Sequence, residues 1–168
     1  ENLTKIIKSS ITVVAEKKKR SPDEVMDEYL KYGTGGTCFS LNAAFITVLR
    51  YYGFDAHPLL CDRHYGVNTH CAVLLVKDSK TFLVDPGSLI YSPIVMPEKL
   101  TVTIHNGFNE LIFQPLIEPN RIELFTIINN QKKSRLVYKT DAVDDGQFFK
   151  AWEQSFRFDM MQYPVITY

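Results

Sequence analysis

The sequence predicts an α+β fold, with N-terminal helices followed by an antiparallel sheet or barrel. Up to Gly53, apolar residues recur at three- and four-residue steps, the spacing of one helix face. From Phe54 to Thr140 they fall in short strand-like runs separated by Asn-Gly, Pro-Asn and Asn-Asn turns. A last helical stretch, Phe148–Phe156, places Trp152 on its buried side. Helices first and strands after make the class α+β rather than α/β. The expected organisation is one compact domain over 1–168: a helical part (1–53), the sheet (54–141), and a C-terminal helix and tail (142–168).

A chain of 168 residues, 45% of them hydrophobic, can bury a real core. Lys+Arg and Asp+Glu balance at 19 each, so no global field steers nucleic acid or an anionic membrane to the surface. The short run Lys17–Arg20 is a solvated helix end or loop. Three cysteines are too few and too unevenly spaced for a disulfide framework. Their odd number suits a reducing compartment, and cytoplasm is the expected location. No apolar run reaches the length of a membrane span.

In chain order, residues 3–16 carry Leu3, Ile6, Ile7, Ile11 and Val14 at helical spacing. Ser21, Pro22 and Glu24 form the signature of a capped helix start, with Ser at the N-cap and Glu three residues on. Val25, Met26, Tyr29 and Leu30 are its expected apolar side, and Gly33 its end. A further helix opens at Cys38, with Leu41, Phe45, Val48, Leu49 and Tyr52 as its expected buried face and Gly53 as its stop. Phe54–Cys61 is an edge or bent strand because it contains Pro58, and Asp62–Asn68 a polar loop. Thr69–Val76 and Thr81–Asp85 form a hairpin, broken afterwards by Pro86-Gly87-Ser88. Strands follow at Leu100–Ile104, Glu110–Ile117, Arg121–Ile128 and Arg135–Thr140.

The chemistry centres on Gly35-Gly36-Thr37-Cys38. This stretch puts a cysteine in the first turn of a helix, where unpaired N–H groups and the positive end of the dipole favour a thiolate. Such a thiolate has a lowered pKa and is the nucleophilic form. A cysteine elsewhere is most often a small buried hydrophobe, so the assignment needs a base and a group to orient it.

Of the four histidines, His57, His64 and His105 lie in contexts that suit surface or structural roles. His70 begins the strongest strand and shares a face with Ala72, Leu74 and Val76. An even loop between Lys77 and Lys80 pairs Val76 with Thr81, Leu74 with Leu83 and Ala72 with Asp85. Asp85 then lies on the face of His70, diagonal to it and within reach of its ring. Cys38, His70 and Asp85 are therefore the expected catalytic residues: nucleophile, base and orienter. A zinc site built from Cys61, His64, His70 and Cys71 is disfavoured, because His70 and Cys71 point to opposite faces and no Cys-x-x-Cys pair exists. No metal is expected.

Four segments together resemble the arylamine N-acetyltransferases: Gly35–Asn42, Leu49–Asp55, Thr69-His70 before an apolar strand, and Phe82–Gly87. These enzymes stand with the transglutaminase-like proteins in a papain-like superfamily that uses Cys, His and Asp in this chain order. The resemblance implies a papain-like fold and acyl transfer through a thioester on Cys38. It also implies acetyl-CoA or another acyl donor as co-substrate, no tightly bound cofactor, and a small-molecule amine acceptor. Gly87 and Ser88 would be the donor-binding residues. Neither nucleic acid nor membrane is an expected partner. The chain departs from the family pattern at Thr34 (usually Arg), Thr37 (an aromatic) and Ser40 (Glu). Asp85-Pro86-Gly87 is closer to the transglutaminase-like pattern, so an amidase or peptidase is the alternative. A non-catalytic binding module on the same fold is the second alternative.

Overall fold

The computed structural model describes residues 19–107 and 109–158. The helix expected over 3–16 and the tail beyond residue 158 lie outside the described residues. Helix α1 (Pro22–Tyr32) starts as its sequence dictates: Glu24 N–H donates to Ser21 Oγ at 3.2 Å, and Ser21 N–H donates to Glu24 Oε2 at 2.7 Å. Gly33 takes the left-handed conformation (φ 64°) and its N–H donates to Tyr29 O, closing the helix. Its apolar side is narrower than expected. Val25 is buried but Met26, Tyr29 and Leu30 are exposed, since α1 packs on the next helix along one edge.

Helix α2 (Cys38–Tyr51) is capped by Thr37 and followed by Gly53 at φ 80°. Its buried face differs from the expected one. Phe39, Asn42 and Ile46 point inward, while Val48 and Tyr52 are exposed. Phe45 and Leu49 border both faces and pack against the core. The rotation goes with Asn42, whose Nδ2 donates to Cys71 O and Cys71 Sγ inside the protein while its Oδ1 is buried without a partner among the described residues.

Eight antiparallel strands follow: β1 (Asp55–Arg63), β2 (Gly66–Lys77), β3 (Lys80–Asp85), β4 (Ile90–Val95), β5 (Val102–His105), β6 (Glu110–Pro115), β7 (Arg121–Ile128) and β8 (Gln131–Lys139), in the order β4-β3-β2-β1-β8-β7-β6-β5. Residues from both ends of this order, Ile90 and Leu111 among them, meet in one cluster with Leu59, Leu83 and Tyr138. The sheet therefore curls around its own core. Its other face carries the helices, with Ile46 against Val73 and Val84, and Phe39 against Leu60 and Cys71.

The β2–β3 hairpin has the expected register, Val76 opposite Thr81 and Leu74 opposite Leu83, across a two-residue turn with Asp78 and Ser79 both at positive φ. Pro58 lies in a strand that is central by order, yet the strand is locally an edge there. β8 pairs only with Cys61 and Asp62, and the Pro58 carbonyl accepts from Val143 N–H instead. The segment Asp62–Asn68 is not a loop. Strands β1 and β2 extend through it to a turn at His64-Tyr65, with a bulge between Cys61 and Arg63. Asp62 makes this possible by accepting from Asn68 N–H, Arg121 and Lys139. Strand β4 was not expected, since Pro93 and the preceding Pro-Gly-Ser disguise it. Helix α3 (Asp145–Ser155) buries Trp152 as expected and stacks its rings on Phe39. Among the described residues no helix is long and apolar enough to cross a membrane.

Candidate active site

Cys38 occupies the first position of α2, directly after the N-cap, whose Oγ1 accepts from Ser40 N–H. The turn that aims it is held from outside. Arg20 donates to Gly35 O at 2.7 Å and to Glu28 Oε2 at 2.8 Å. A Cβ at Gly36 would collide with the Arg20 guanidinium and the Ser40 hydroxyl, so any larger residue would have to displace them. The residue immediately before the two glycines is the buried Thr34. Arg20, from the other side of α1, brings a guanidinium to the same turn.

His70 and Asp85 come together as the hairpin register requires. His70 Nε2 donates to Asp85 Oδ2 at 2.8 Å, and both side chains are closed to solvent. Asp85 accepts three further hydrogen bonds: from Ser88 Oγ at 2.7 Å, Ser88 N–H at 3.2 Å and Tyr138 OH at 2.9 Å. Burial pushes the carboxyl up, but the His70 ring and these donors outweigh it and hold the group below the usual carboxylate range.

The other ring nitrogen of His70, Nδ1, lies 3.1 Å from Arg63 Nη2, and the Cys38 sulfur is near enough to act on the charge of the ring. A guanidinium can only donate, so the Arg63 contact belongs to the neutral imidazole. Burial opposes a charge on the ring, yet the Asp85 carboxylate and the Cys38 thiolate lift His70 from 6.5 to about 10. The neighbouring Cys71 thiol holds the Cys38 pKa well below the ordinary value. Burial acts against this shift, and the His70 charge reinforces it. Both shifts run in the direction that favours a thiolate and an imidazolium.

The remaining expected residues divide. Gly87 sits against the His70 ring, where a Cβ would come within 3.0 Å of Cε1. Ser88 is committed to Asp85. Both also line a cleft of about 350 Å³ that carries Arg63, Lys133 and Arg135 and no carboxylate. His57 pairs with Asp55, while His64 and His105 are exposed. Among the described residues no group of His, Cys, Asp and Glu is arranged to hold a metal ion. Two participants were not foreseen. Tyr138 was legible only as an inward tyrosine whose hydroxyl would need a partner, and Arg63 was hidden by the reading of its strand end as a loop.

Comparison with known proteins gives the same frame. A family model described as N-acetyltransferase matches residues 2–106, more than half of the chain. No curated protein sequence matches it. Among solved structures, an arylamine N-acetyltransferase from Bacillus cereus with a unique Cys-His-Glu catalytic triad superposes with a TM-score of 0.65 at 18% identity, over 92% of this chain and 60% of that one. The Mycobacterium marinum enzyme in complex with CoA gives 0.66 at 12% identity, over 92% and 58%. The Mycobacterium abscessus enzyme gives 0.66 at 14%, over 82% and 53%. At these identities the likeness is one of fold, and the chain spans about 60% of the length of the Bacillus cereus enzyme. The sequence match over residues 2–106 carries the assignment: the chain belongs to the N-acetyltransferase family, that of the arylamine N-acetyltransferases.

Proposed function

We propose that the protein transfers an acetyl group from acetyl-CoA to an amine through a thioester on Cys38, with His70 as the base and Asp85 as the residue that orients it. The observation that carries this reading is the buried His70–Asp85 bond in a fold that sets Cys38 at the first position of a helix. The Cys38 sulfur attacks the thioester carbonyl, and the His70 imidazolium gives its proton to the departing CoA sulfur. Main-chain N–H groups of the first turn of α2, which have no intrahelical acceptor, stabilise the oxyanion. In the thioester the Cys38 charge is gone, and with it one of the causes that raise His70. The imidazole then takes the proton of the attacking amine as Cys38 leaves, and the amide is released.

The cleft beside Gly87 and Ser88 suits the donor. Arg63, Lys133 and Arg135 offer cations to its phosphates, and the missing side chain of Gly87 lets the thioester approach the ring. Ser88 contributes to the wall while its hydroxyl stays on Asp85. The test is release of free CoA from acetyl-CoA with and without an arylamine. Release that depends on the amine, with acetylated amine as product, supports transfer. Release at the same rate without amine identifies a hydrolase. No release beyond background contradicts acyl transfer and leaves the binding-module reading.

A further inference from the structure

We propose that Arg63 is a positioning residue that couples donor binding to the base: its guanidinium caps Nδ1 of His70, and a phosphate of the donor in the adjoining cleft draws it off. This rests on the reading of His70 as the base for Cys38.

An imidazole has two nitrogens. Nε2 of His70 is committed to Asp85 at 2.8 Å, so in that reading the proton of Cys38 has only Nδ1 to go to. Nδ1 is already engaged. Arg63 Nη2 lies 3.1 Å from it, and a guanidinium only donates. While this hydrogen bond stands, the Nδ1 lone pair is spent on Arg63 and takes no proton. The capped ring and the imidazolium are therefore alternatives, and the place of one side chain selects between them.

Arg63 is free to leave. Its main chain is fixed at the end of β1, where it pairs with Gly66 and its N–H donates to Thr69 Oγ1 at 3.3 Å. Its side chain is held less firmly. Among the described residues no carboxylate pairs with it, and its buried Nε has no hydrogen-bond partner. A half-buried cation without a counter-ion is costly, and an anion that reaches it relieves the cost. The cleft of about 350 Å³ that Arg63 lines also carries Lys133 and Arg135, and no carboxylate that would compete for a phosphate's place. Of these three cations, Arg63 is the one bonded to the base. On binding, its N–H exchanges Nδ1 for a phosphate oxygen, and the Cys38 sulfur then gives its proton to Nδ1.

The sign of one variant separates this device from plain electrostatics. A guanidinium that acted on Cys38 only through its charge would favour the thiolate, so losing it would slow the sulfur. Losing a cap on the base quickens it.

The experiment is the rate of Cys38 alkylation at neutral pH by iodoacetamide, an uncharged reagent, read by peptide mapping. The probe is 3′-phosphoadenosine 5′-diphosphate, the part of CoA that bears its phosphates and lacks the arm that would cover the sulfur. Its binding is followed by calorimetry. In the wild type, saturation with the probe should raise the rate about tenfold, the scale of one hydrogen bond to a charged group. Arg63→Met and Arg63→Leu should react at the saturated wild-type rate with or without the probe. Thermal melts identify which of the two is folded, and either suffices. Lys133→Met removes a cleft cation that is not bonded to His70. It should bind the probe more weakly and keep the full acceleration at saturation. A wild type that the probe saturates without acceleration overturns the inference, as does a probe that does not bind. Arg63 variants that react more slowly than the wild type also overturn it. Release of CoA from acetyl-CoA is measured alongside. Amine-dependent release with any of these failures leaves the catalytic reading standing, and no release overturns both.

Discussion

His70 Nε2 and Asp85 Oδ2 lie 2.8 Å apart, and the carboxylate is completely enclosed. Every donor around Asp85 points at it, so it accepts and does not deliver protons. In the proposed reaction its work is to fix the imidazole that serves Cys38. Asp85→Asn keeps the shape but removes the charge and the obligatory acceptor. We expect kcat/KM to fall by at least about 10³-fold with the fold retained, measured by steady-state acetyl transfer and circular dichroism. A loss under tenfold would contradict the role.

The charges of the site predict an unusual dependence of stability on pH. His70, raised from 6.5 to about 10, contributes in full below 6.5 and loses that contribution as pH rises towards 10. Cys38, lowered from 9.0, contributes above 9.0 and loses it as pH falls through its folded value. Between 6.5 and 9.0 one gain offsets the other, and the site's contribution is level. Cys38→Ala removes the rising half. The difference in urea unfolding free energy between the wild type and this variant should therefore widen with pH, by up to about 1.4 kcal/mol per unit. A constant difference across that window would contradict the ion pair.

Gly87 is a matter of space. Its φ is not in the left-handed region, but an added Cβ would meet His70 Cε1 at 3.0 Å and Asp85 Oδ1 at 3.2 Å. The ring is buried and cannot retreat. Gly87→Ala should lower kcat by about 10²-fold, the scale of an ångström's misplacement, while melting remains cooperative. A variant with wild-type kcat would remove Gly87 from the account.

Arg20 and Glu28 form a mostly buried ion pair that holds the Gly35–Gly36 turn. Arg20→Met takes the guanidinium away from Glu28 and from the Gly35 carbonyl and should cost about 3 kcal/mol in urea unfolding. The double variant Arg20→Met/Glu28→Leu should recover most of that stability. It should still acylate slowly, because the Gly35 carbonyl has lost its anchor. A double variant with both stability and wild-type acylation would contradict the anchoring role.

The parts of the fold written in local chemistry were legible. Ser21, Pro22 and Glu24 specify the start of α1 without help from the rest of the chain. An even hairpin loop and the two-residue pleat carry Asp85 to the His70 face, and the register follows. What was not legible depends on tertiary partners. Asn42 has no local signal for burial until Cys71 supplies acceptors for its Nδ2, and the buried face of α2 turns with it. Asp62 and Arg63 look like loop residues until β7 and β8 bring Arg121 and Lys139. Tyr138 joins the site across 53 residues of chain, a separation no local pattern encodes.

The most direct measurement is intact mass after brief mixing with acetyl-CoA, followed by peptide mapping and then by addition of an arylamine. The account predicts one acetyl group, carried on Cys38 alone, that disappears when the amine is added. A protein that stays unmodified, or is acetylated elsewhere with Cys38 free, would contradict it.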